Sequence, residues 1–158
     1  MIAWRFIATT SFMQNTSAAI TRPLAFAGAL PFVVSALLLW AGHASVPVLG
    51  TVSNIAASYG LLILSFMAGV QWGQQLSGIE TRVNLFLSSN AIALAAWFAY
   101  LLLSSRLFFA CLAVLFAVLL MIDRRVGAEG HLSTDYMRTR TVVSALVVLS
   151  LAVIALKV

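Results

Sequence analysis

Apolar residues in this chain gather in long blocks separated by short polar breaks, not in the two-residue alternation of a half-buried sheet. The blocks predict helices over about 23–41, 48–77, 83–103, 107–122 and 136–156. Most are close to the ~20 residues needed to cross a hydrocarbon core about 30 Å thick. The expected fold is therefore all-α, a polytopic membrane helix bundle with five transmembrane helices in one domain, 23–158. Residues 1–22 form a tail before it. Its apolar stretch, Met1 to Ala8, is interrupted by Arg5 and too short for a signal peptide. Trp4, Phe6, Ile7, Phe12 and Met13 would let the tail lie among lipid headgroups, and a loose tail is the alternative.

The breaks have turn chemistry. Thr21 is a candidate N-cap for the first helix, with Pro23 near its start, where a missing N–H costs nothing. Pro31 falls mid-span and deprives the Ala27 carbonyl of its donor, so a kink is expected beside Gly28. Trp40 is placed to anchor at the interface. Gly42, His43 and Pro47 mark the first turn, Ser77-Gly78 the second, and Ser104, Ser105 and Arg106 the third. Residues 123–137 read as the one substantial loop, with Ser133, Thr134 and Asp135 as caps for the fifth helix. The fourth block is short, which puts Arg106 and Asp123 at the membrane edges.

The second block, around Tyr59 to Leu76, has more polar residues than a lipid-facing anchor requires. At about 100° per residue, Ser65, Gly69 and Gly73 share a face and repeat every four positions, the small-xxx-small pattern that admits a close neighbour. On the third block Ser88, Ala91 and Ala95 share one side. These faces suit each other, so a packing seam of Ser65, Gly69, Gly73, Ser88, Ala91 and Ala95 is expected in a tight antiparallel hairpin. Gln71 lies on a different stripe with Leu64, Ala68 and Gln75, and needs a partner from the first, fourth or fifth helix. Gln71, Trp72, Asn90 and Tyr100 are candidates for a polar pocket receiving a headgroup, a quinone or a partner helix.

Composition agrees with a bilayer as solvent. The chain is 158 residues long, 63% hydrophobic and 8% charged, with mean hydropathy +1.07; soluble domains carry about a quarter charged residues. The net charge of +5 is scattered among apolar runs, which argues against nucleic acid as a partner. Arg5, Arg22, Arg82, Arg124, Arg125, Arg138 and Arg140 fall on one side of the predicted topology, and Arg106 and Lys157 on the other. The positive-inside rule then puts the N-terminus inside and the C-terminus outside. That corresponds to a bacterial inner membrane, or to a mitochondrial inner membrane in a eukaryote.

No charge is expected within the hydrocarbon, since Glu80, Arg82, Arg106, Asp123 and Arg140 map to helix ends. Asp123 and Arg138 would share a membrane edge and are expected to pair. His43 and His131 lie on opposite sides; Glu129, His131 and Asp135 could nominally converge on a metal, but loop residues at this spacing rarely do, and a solvated loop is expected. The single cysteine, Cys111, sits in an apolar run. No cofactor, metal or catalytic residue is expected.

Gly28-Ala29-Leu30-Pro31-Phe32, then Tyr59-Gly60 with Ile63–Gly73, then an Asp closing the fourth helix and Arg138 with Thr141 opening the fifth, resemble the uncharacterised domain-of-unknown-function family 3429. That family includes bacterial inner-membrane proteins and the mitochondrial transmembrane protein 69. The resemblance spans about Pro23 to Leu156 and implies a membrane protein without an assigned activity. In the family's pattern the position of Gln71 is often His and that of Ala68 often Gly. A Gln there keeps hydrogen bonding but cannot titrate.

Small faces without titratable groups between them point to a non-enzymatic helix-packing accessory or assembly factor. Its partners would be the lipid bilayer and a membrane protein or a second copy of the chain. The alternatives are a small oligomeric carrier or channel lined by Gln71 and Asn90, or a lipid- or quinone-binding membrane protein.

Overall fold

A computed structural model of the chain describes residues 3–79 and 81–158, with side chains from residue 22 onward. The interfacial side chains expected in the tail, and Glu80, lie outside the described residues. Five helices follow in order: α1 Ala3–Trp40, α2 Val52–Leu76, α3 Leu85–Leu102, α4 Ser105–Ala128 and α5 Thr134–Lys157. Each contains a stretch long and apolar enough to cross a membrane, that of α1 being Arg22–Trp40.

The helix ends follow local chemistry, with some departures from the hydropathy blocks. The backbone of α1 passes through Thr21 and Pro23 without a break, so Thr21 is not a cap. A proline removes one helical hydrogen bond but does not force a helix to end. After α1 a miniature antiparallel hairpin pairs Ser45 with Thr51 and Val46 with Gly50, and α2 begins after it. Thr51 caps α2 by accepting from the Asn54 N–H at 3.4 Å. Asn84 caps α3 through the Leu87 N–H at 3.1 Å, and Ser133 caps α5 through the Tyr136 N–H at 3.3 Å.

The largest difference lies in α4. The hydropathy block stops at Ile122, but the helix continues through Asp123, Arg124 and Arg125 to Ala128. Arg and Ala are good helix formers, and no stop signal occurs until Gly130. There the chain turns with φ +87°. The Gly130 N–H donates to the Gly127 carbonyl and the His131 N–H to that of Val126, which closes the helix as a Schellman motif. The loop expected over 123–137 contracts to the few residues between α4 and α5, and Asp123 lies inside a helix.

α1, α2, α4 and α5 form a ring in which each touches the next, and α3 packs outside against α2 and α4. The α4–α5 and α1–α5 interfaces are the most extensive. Phe32, Leu64, Leu112, Phe116, Leu119 and Leu151 fill the centre. Phe32, one residue after Pro31, meets the Tyr59 ring at 5.2 Å and the Phe116 ring edge-on at 5.8 Å. The Tyr59 hydroxyl donates to the Gly28 carbonyl at 3.0 Å. Pro31 leaves the Ala27 carbonyl without its helical donor, and the Tyr59 hydroxyl adds a bond to the next carbonyl, that of Gly28, from a neighbouring helix.

Candidate functional site: a buried polar clamp and an exposed small-residue face

Three helices place polar side chains at one point inside the bundle. Arg140, in the second turn of α5, donates from Nε to Asp123 Oδ2 of α4 at 2.8 Å. Gln71 of α2 donates from Nε2 to Asp123 Oδ1 at 3.0 Å. A carboxylate only accepts, so the amide nitrogen must face it and the orientation of Gln71 is decided. Both carboxylate oxygens are thus occupied, each by a different helix. The side chains of Arg140 and Asp123 are 10% and 6% exposed, and Gln71 is 1% exposed. Tyr136, one turn before Arg140, is half-buried and within electrostatic reach of both charges.

The position of this clamp matters. α4 has 24 residues, which makes it ~36 Å long. Asp123 lies five residues before its end, ~7.5 Å along the axis. The expectation of a loop beginning at Asp123 is therefore corrected: Asp123 is a buried charge inside α4. Extending α4 past Ile122 carries Asp123 into the helix, and the matching register of α5 supplies Arg140. In a low dielectric an isolated charge would be prohibitive; a hydrogen-bonded pair with a third polar partner is tolerated.

The pairing itself is also corrected, because Asp123 bonds Arg140 and not Arg138. These arginines are two positions apart, ~200° around a helix, so only one can face α4 at this level. Arg138 is exposed on the other side of α5. Three buried side-chain oxygens on the clamp's helices have no hydrogen-bond partner among the described residues: Gln71 Oε1, Gln74 Oε1 and Ser144 Oγ, the last of them one turn beyond Arg140.

The four residues expected to line a polar pocket do not converge. Trp72 packs its ring on Phe86 at 4.8 Å. Asn90 is exposed and donates to the Phe86 carbonyl of its own helix at 2.8 Å. Tyr100 lies near the end of α3 remote from Gln71, with its ring 5.5 Å from Phe108. Antiparallel pairing of α2 and α3 puts Gln71 and Tyr100 at opposite ends of the hairpin. Gln75, on the Gln71 stripe, braces the α2–α3 link by accepting from the Leu85 N–H at 3.1 Å.

The expected seam is arranged differently too. Ser65, Gly69 and Gly73 are exposed, as are Ala91 and Ala95, and Ser88 is half-buried. A Cβ added at Gly69 or Gly73 would meet nothing within 4 Å. The inward face of α2 is instead Val52, Ala56, Gly60, Leu64, Ala68 and Gln71. Gly60 is its point of closest approach, where an added Cβ would lie 2.5 Å from Leu112 Cδ2 of α4. Ala56, Gly60 and Ala68 also fall at four- and eight-residue spacing, so the same small-residue signal was present on the true interior face.

No group of acidic, histidine or cysteine side chains suited to a metal occurs among the described residues. Residues 17–156 match the family described as Protein of unknown function (DUF3429), in agreement with the resemblance read from the sequence. No curated protein and no solved structure matches the chain.

Proposed function

The chain belongs to the DUF3429 family, and within it we propose a non-enzymatic integral membrane protein that works as a helix-packing accessory or assembly factor. The observation that carries this reading is the outward position of Ser65, Gly69 and Gly73 on α2. The bundle does not use this stripe for its own closure. Exposed Leu62, Phe66 and Leu76 flank it, leaving a shallow notch between large side chains. In lipid, helices associate through close van der Waals contact, and small residues in register allow a second backbone to approach. The occupant is a transmembrane helix of a partner membrane protein. The basic end of the bundle, with Arg22, Arg82, Arg124, Arg125, Arg138 and Arg140, faces the cytoplasm or the matrix of a bacterial or mitochondrial inner membrane. This orientation puts the N-terminus inside and the C-terminus outside.

The test uses the full chain crosslinked in native membranes and purified in mild detergent. Gly69→Leu fills the notch from outside the bundle, so the variant inserts and unfolds like the wild type but loses the crosslinked partner. Retention of every partner by Gly69→Leu overturns the proposal. Loss of a self-crosslink alone assigns the notch to a second copy of this chain and overturns the accessory role.

A further inference from the structure

The α4–α5 hairpin carries a groove on its outer side that the clamp does not use. It has a volume of about 550 Å³ and is lined by Arg124, Gly127, Ala128, Leu132, Thr134, Met137, Arg138, Thr141 and Val142. Its composition changes with depth. Leu132 and Thr134 lie at the loop end, Arg124 and Arg138 about one turn in, and Val142 roughly 12 Å along α5 from its first residue. Two cations near the loop end therefore sit beside an apolar floor that continues along the helices away from the loop.

The charges are available. Because Arg140 takes Asp123, Arg138 points away from the clamp, and neither Arg124 nor Arg138 forms an ion pair among the described residues. The neighbouring acids are committed elsewhere or lie outside the groove. Asp123 is held by Arg140 and Asp135 by Arg22 at 3.1 Å. Glu129 caps α4 and is not part of the lining. The first turn of α5 adds unsatisfied N–H groups near Thr134, whose dipole also favours an anion.

We propose that this groove binds an anionic phospholipid, its phosphate held between the Arg124 and Arg138 guanidinium groups and one acyl chain laid along Met137 and Val142. Guanidinium forks match phosphate oxygens, and basic pockets between helix ends at a membrane surface are suited to acidic headgroups. The apolar floor adds a requirement for a chain, which separates this ligand from free phosphate. The site lies on a different hairpin from the helix-docking notch and does not depend on it.

Native mass spectrometry of the full chain in neutral detergent tests the assignment, with phosphatidylglycerol and phosphatidylcholine of identical chains as probes. The wild type is expected to retain phosphatidylglycerol in preference to phosphatidylcholine. Arg124→Gln with Arg138→Gln should weaken that retention about 30-fold, the loss of two interfacial cations. Val142→Trp keeps both charges but blocks the floor, and should also lower retention, while Arg106→Gln at the other end of the bundle should leave it unchanged. Equal retention of the two lipids overturns the proposal, as does wild-type binding by the double variant. Competition by inorganic phosphate as effective as that by the lipid overturns it as well. Both arginines and Val142 are surface positions, so a misfolded variant is not expected; if the double variant fails to fold, Val142→Trp alone decides.

Discussion

The α2–α3 and α4–α5 hairpins are both pairs of apolar helices joined by short links, yet they handle their polar residues in opposite ways. α4 and α5 turn Asp123 and Arg140 toward each other and close tightly around them. α2 and α3 turn their most conspicuous small residues, Gly69, Gly73, Ala91 and Ala95, outward. Small residues permit close approach between helices in lipid, but they do not compel it. A charge buried among apolar helices does compel a partner, because leaving it alone costs several kcal/mol. Polar satisfaction therefore sets the tighter interface, and the small-residue stripe is left free for another use.

The sharpest break of this contrast removes the clamp's anion. Asp123→Ala leaves Arg140 buried and unpaired, and should destabilise the bundle by about 3–5 kcal/mol in thermal or denaturant unfolding in mild detergent. Asp123→Arg combined with Arg140→Asp should recover much of that loss, whereas Asp123→Arg with Arg138→Asp should not. Rescue through Arg138 would show that the pairing described above is wrong.

Gln71→Leu should cost less, about 1.5–3 kcal/mol, through loss of one hydrogen bond to a carboxylate. If it equalled Asp123→Ala, the tie to α2 and not the α4–α5 pair would be the dominant element of the clamp.

The two glycines give the comparison within a single helix. Gly60→Ala places a methyl against fully buried Leu112, which has little room to move, and should cost about 1–3 kcal/mol. Gly69→Ala meets open space and should raise stability by up to ~1 kcal/mol through helix propensity alone. Similar effects at both positions would mean that α2 is rotated from the face described. The smallest change is Tyr59→Phe, expected to cost ~1 kcal/mol by removing the bond to the Gly28 carbonyl, three residues before Pro31.

Some of this was legible from local pattern. The five apolar spans follow from block length, and the cap at Ser133 from a side chain that can reach a backbone N–H. Gln71 could be assigned to a stripe of its own with Leu64, Ala68 and Gln75, since angular position depends only on spacing. Its partner could not be named in advance. Hydropathy falls at Ile122, which by itself puts Asp123 at a membrane edge and the start of a loop, but α4 ends only where the chain turns at Gly130. The seam was misplaced because α2 carries two stripes of small residues, Ala56/Gly60/Ala68 and Ser65/Gly69/Gly73. Both satisfy the same spacing rule, and nothing within the helix distinguishes them.

The sequence by itself determined that this is a five-helix membrane protein with an excess of cations at one end, because span length and charge placement are properties of each segment alone. Only the tertiary structure decided that Asp123 meets Arg140 and Gln71, that Arg138 faces the outer groove, and that Gly60 rather than Gly69 lies inside. Each of those outcomes depends on the rotation of one helix about its axis relative to the others. That rotation is set by the joint demand that the buried charges be paired and every close contact fit, a condition that no single segment contains.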